Sequence, residues 1–196
     1  MLQNKKLIKT FLIIFISLSA IIFLAYSLLE YRRSGIAERG LITCANGQCF
    51  WSAHIHTYIP IQICGEKYFL PKFKGPLSGL HIHAGENVIH WHSKIAFDAE
   101  KKQFLESTIF ALNLIFKTLE LPIGDESLLS KKNGDMCHGS ASTWKVFVNG
   151  ISHLDWINYE WKDRDIILFV FDARTVEEVE KELRQNPIKF PAPGEG

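Results

Sequence analysis

Thr10 to Leu29 is a run of 20 uncharged, mostly apolar positions. At 1.5 Å per residue a helix of that length spans about 30 Å, the thickness of a bilayer's hydrocarbon core. Lys5, Lys6 and Lys9 precede the run, and Arg32 and Arg33 follow it. The pattern predicts one transmembrane helix with its N-terminus in the cytoplasm. The alternative is a cleaved signal peptide, because Ala25-Tyr26-Ser27 fits a small-x-small cleavage site. Either reading places the rest of the chain outside the cytoplasm.

Beyond residue 33 the apolar positions take shorter periods. Gln48–Ile63 alternates aromatic and β-branched residues with polar ones and reads as a strand, with Pro60 marking an edge, a bulge or an end. Glu66–Lys74 reads as a turn and a short strand. Leu80–His83 and Val88–His92 read as two strands joined by the tight turn Ala84–Asn87. Residues 99–120 carry the main helical signal, with Phe104, Ile109, Leu112, Ile115, Phe116 and Leu119 at spacings of three to five. Thr143–Val148 is a strand ending in the turn signal Asn149-Gly150. Ile166–Phe171 is a continuous apolar run, expected as a central strand. Thr175 with Glu178 makes a capping box for a helix over Val176–Gln185, ended by Pro187. The order of elements predicts an α+β chain: an N-terminal transmembrane helix followed by one mixed-sheet domain. The expected divisions are 1–33 (cytoplasmic tip, anchor and flank), 34–186 (an extracytoplasmic His-rich domain) and 187–196 (a flexible tail).

Charge narrows the partners. Residues 34–196 hold 17 Lys and Arg against 20 Asp and Glu, and a weakly acidic domain argues against nucleic acid. Cys44, Cys49, Cys64 and Cys137 allow three complete pairings, and an oxidising compartment favours at least one disulfide. No CxxC, HExxH, P-loop or GxSxG is present.

Six of the eight histidines form three His-x-His doublets: His54/His56, His81/His83 and His90/His92. In a strand, residues i and i+2 point to the same face, so each doublet sets two imidazoles side by side. Imidazole is a ligand for copper and zinc, and two or more doublets supply the three or four ligands such an ion takes. His81, His83 and His90 form the leading candidate centre, with His54, His56 and His92 next. Glu86 is a candidate carboxylate, and Met136-Cys137-His138 a candidate soft-ligand patch for copper. The bland reading is a hydrogen-bonded histidine network without metal.

Ala53-His54-Ile55-His56, Leu80-His81-Ile82-His83 and Asn87-Val88-Ile89-His90-Trp91-His92 carry a resemblance, joined by Val146-Phe147-Val148-Asn149-Gly150 and Lys162-Asp163-Arg164-Asp165-Ile166-Ile167. Together they resemble an uncharacterised family of archaeal and bacterial single-pass membrane-anchored proteins. Arg164 departs from that pattern, standing where a turn glycine is expected, and so does His92, where an acidic residue is common. The closing half is similar to a β-grasp fold. The resemblance implies a shared metal site and brings no established reaction.

These readings combine into a single-pass, membrane-anchored extracytoplasmic protein that binds copper or zinc. It would serve metal handling or act as an accessory subunit of a membrane protein complex. The alternatives are a metalloenzyme with an open His-ligated site, and a structural or partner-binding ectodomain without metal.

Overall fold

The computed structural model describes residues 15–27, 40–71, 79–82, 87–105, 110–124 and 126–191. The chain divides into two compact units, Met1–Arg39 and Gly40–Gly196. In the first, residues 15–27 form a helix, α1. The expected transmembrane helix is not found among the described residues. Among the described residues no helix is long and apolar enough to cross a membrane. Residues 10–14 and 28–29 of the apolar run lie outside the described residues. The fold assignment therefore loses its membrane helix. The single-pass membrane location, the extracytoplasmic placement, and the membrane and membrane complex as partners lose their basis with it.

The mixed sheet is present in the second unit. Its strands are Leu41–Ala45 (β1), Gln48–Tyr58 (β2), Ile61–Ile63 (β3), Glu66–Tyr68 (β4), Gly79–Ile82 (β5), Val88–Asp98 (β6) and Gln103–Phe104 (β7). Five two-residue strands follow: Ile123–Gly124 (β8), Ser127–Leu128 (β9), Lys131–Lys132 (β10), Met136–Cys137 (β11) and Ser140–Ala141 (β12). The last are Thr143–Val148 (β13), Ile151–Ser152 (β14) and Asp165–Asp172 (β15). The main path runs β14-β13-β15-β2-β6-β5, with β1 on β2, β3 between β15 and β4, and β7 on β6. Strands β8–β10 and β11–β12 make separate small sheets.

Pro60 explains why the long predicted strand divides. Lacking an N–H, it cannot continue the ladder, and the chain re-enters the sheet as β3. Strand β15 pairs parallel with β2 through Asp165↔Thr57 and with β3 through Phe169↔Ile61. It is central and buried on both faces, hence its unbroken apolar run. Phe169 and Phe171 meet Trp144, and Phe169 also meets Phe116 and Trp156. On the opposite face, Leu168 and Val170 pack with Phe147 against Val179 of the helix Val176–Gln185.

The helix expected over 99–120 is much shorter. Among its described residues only Leu112–Thr118 (α2) is helical, Phe104 belongs to β7 opposite Phe97, and residues 106–109 lie outside the described residues. Leu112, Ile115 and Phe116 of α2 are buried. Beside them, Trp51, Trp91, Phe110 and Trp161 form a chain of ring contacts under β2 and β6, with centroids 5.1–5.6 Å apart. Burying each such side chain contributes about 2–3 kcal/mol. The core thus takes Trp51, Ile55, Ile89 and Trp91, and alternation sends their neighbours to the other face.

Both pairs of cysteines are joined, Cys44–Cys49 and Cys64–Cys137. Cys44 stands directly opposite Cys49 beside the two-residue turn Asn46-Gly47, both of whose residues have positive φ. The helix Val176–Gln185 (α3) begins with the reciprocal hydrogen bonds of Thr175 and Glu178.

Candidate metal centre

Strands β2, β6 and β5 are antiparallel neighbours, and their register gathers the histidines. His54 faces His92 and His56 faces His90 across β2 and β6, while His81 faces His90 across β5 and β6. One row of the sheet is therefore His56–His90–His81, and the next is His54–His92–Gly79. All five imidazoles share the face opposite the tryptophans, because each is offset by one residue from a core position.

The rings form a contiguous array. Centroids lie 4.6 Å apart for His54 and His56, 4.4 Å for His56 and His90, and 5.2 Å for His54 and His92. His81 is 4.9 Å from His92 and 5.6 Å from His90. His54 is exposed, His56, His90 and His92 are half-buried, and His81 is buried. The Nδ1 of His81 lies 3.3 Å from the Gly79 carbonyl, which orients the ring.

Among the described residues, one group of three places its ligand atoms within 4.8 Å of one another: His54, His56 and His90. This triad could coordinate a metal ion. His81 and His92 flank it. His83 and Glu86 lie outside the described residues.

Two anchors hold these strands in register. Asn87 adopts a left-handed backbone, φ 51°, at the entry to β6. Its buried side chain accepts from Leu70 N–H at 2.7 Å and donates to the Tyr68 carbonyl at 2.8 Å. Asp163 holds the other side: its Oδ1 accepts the His56 backbone N–H at 2.8 Å, and Arg164 N–H donates to the His56 carbonyl. The same Oδ1 stands 3.9 Å from His56 Nδ1. This contact joins residues 107 positions apart, and no local sequence pattern signals it. Arg164 has φ 64°, the left-handed conformation that its glycine-like position implied.

The soft-ligand patch is excluded by the cysteine chemistry. The sulfur of Cys137 is bonded to that of Cys64, so no thiolate is available, and His138 Nε2 is 2.9 Å from the Cys64 carbonyl.

No family model, curated protein or solved structure matches the chain. The resemblance to a membrane-anchored family is therefore corrected: no relative matches, and no helix among the described residues is long and apolar enough to span a membrane. The β-grasp likeness has no solved counterpart. What the fold and site define is a mixed-sheet domain bearing a histidine cluster on one face.

Proposed function

We propose that this chain is a metalloenzyme whose metal ion is held by His54, His56 and His90, with one coordination position open. The carrying observation is the convergence of the three ligand atoms within 4.8 Å on one sheet face. In a tetrahedral site with bonds of about 2.0–2.1 Å, ligand nitrogens stand about 3.4 Å apart. Imidazole rotation about χ2, a soft torsion, covers the difference. Three protein ligands with a fourth position open is the pattern of catalytic rather than structural sites. The exposure of His54 leaves that position accessible from solvent. An all-imidazole donor set suits zinc or copper.

Bound there, the metal would supply Lewis acidity toward a water or a substrate oxygen. The chain's own residues do the rest. His56 and His90, directly opposed, fix the spacing of two ligands through the strand register. His92, with its ring 5.2 Å from that of His54, is the group placed to take or give a proton beside the centre.

Elemental analysis of the full chain after zinc loading and desalting should find one ion per chain. The combined variant His54→Ala, His56→Ala, His90→Ala should find none, and equal retention by the variant would reject the site. The open position is tested separately with cobalt(II). Its visible spectrum should shift on adding azide, and a spectrum indifferent to azide would argue for a closed site and against an enzyme.

A further inference from the structure

We infer that Asp163 is a positioning residue for the metal centre: its carboxylate takes the Nδ1 proton of His56 in a hydrogen bond and thereby presents Nε2 to the metal. The inference rests on the triad proposed above. Asp163 is held independently of any metal. Its Oδ1 accepts the His56 backbone N–H at 2.8 Å, and Arg164 N–H, one residue on, donates to the His56 carbonyl. The turn and the ligand-bearing strand are thus tied at both backbone groups of His56. The carboxylate cannot drift from that histidine without breaking the tie.

From this fixed place the same oxygen lies 3.9 Å from His56 Nδ1. A hydrogen bond needs about 2.9 Å, a shift of about 1 Å that a small rotation of the imidazole provides. Asp163 and His56 are each about one-third exposed, so the pair sits at the boundary of the solvent, where the metal's open side lies. A neutral imidazole carries one N–H, and the nitrogen that bears it cannot ligate. Occupying Nδ1–H with a carboxylate fixes the tautomer and raises the basicity of Nε2. Metal-ligating histidines are regularly supported in this way. Asp165, two residues on, is fully engaged elsewhere with Tyr159, Lys162 and Asn149. Among the described residues, Asp163 is the carboxylate that faces a triad histidine.

The test is Asp163→Asn in the full chain. The amide oxygen still accepts the His56 backbone N–H, so the metal-free protein should melt as the wild type does. Without the carboxylate charge, zinc affinity in a competition titration should fall roughly 10- to 100-fold. The cobalt(II) spectrum should keep its intensity while its bands move, since the coordination number is unchanged and one ligand is a weaker donor. An unchanged affinity would overturn the inference alone, provided that the triple histidine variant still abolishes binding. A large loss of cobalt intensity would also overturn it, by making Asp163 a direct ligand. A wild-type chain that holds no metal would overturn the triad and this inference together. Should Asp163→Asn unfold, Asp163→Glu provides the second arm: recovery of zinc affinity to within a few-fold of wild type supports the role, and an affinity still 10-fold or more below it rejects it.

Discussion

Tyr159 shows how much one half-buried contact settles. Its hydroxyl donates to Asp165 Oδ2 at 2.8 Å, and Asp165 also accepts from Lys162 N–H and Asn149 Nδ2. Burial first, and then the Asp165 charge, push the phenol well above its ordinary value of about 10. The folded state therefore holds this proton more tightly than the unfolded chain. Its contribution is complete below about pH 10 and is lost as pH rises beyond that. Tyr159→Phe should cost about 1–3 kcal/mol in urea denaturation at pH 7, and the gap to wild type should narrow by pH 11. At this scale the sequence was legible in kind and not in contact. The doublets announced paired imidazoles, because a strand repeats every two residues and the five doublet histidines among the described residues obey that period. The convergence on His54, His56 and His90 depended on register across β2 and β6, which no local spacing encodes. Asp163 was illegible for the same reason, being brought to His56 by the turn that leads into β15.

Among the elements, legibility followed local chemistry. The helix after Thr175 was readable to its ends because both halves of its capping box lie within four residues. Thr175→Ala should lower stability by about 1 kcal/mol, seen as a lower urea midpoint at constant slope. The Asn149-Gly150 turn was readable because both residues tolerate positive φ, at 52° and 86°. Asn46-Gly47 carries the same signal, with φ 51° and 76°, and joins β1 to β2. The segment 99–120 misled for a tertiary reason. Its apolar residues recur at nearly helical spacing, but Phe104 is drawn into β7 by Phe97 and the ring of Trp51, 5.1 Å away. Packing there outweighs a helix propensity worth only tenths of a kcal/mol per residue.

For the whole molecule, the mixed sheet and its central strand were legible, because only a strand buried on both faces reads as IILFVF. The spanning helix was expected from hydropathy alone, and among the described residues no helix is long and apolar enough to cross a membrane. The two disulfides also act at this scale and differ in reach. Cys64–Cys137 closes 73 positions and Cys44–Cys49 only five. Loop-closure entropy gives about 4 kcal/mol for the first and about 2 kcal/mol for the second. Replacing Cys64 and Cys137 by alanine should therefore lower Tm more than replacing Cys44 and Cys49, as scanning calorimetry would register.

The parallel pairing of β15 with β2 carries a consequence in time. Thr57 and Asp165, which meet there, stand 108 positions apart. At about 5–20 residues per second, a ribosome delivers β15 roughly 5–20 s after β2. Hairpins close in microseconds, so β2, β6 and β5 can pair, and line up their histidines, while the strand that completes the sheet is still being made. Such early pairing would hold the imidazole array on an open-edged sheet until β15 arrives. A metal ion that the triad could coordinate would then find those imidazoles in line before the domain has finished folding.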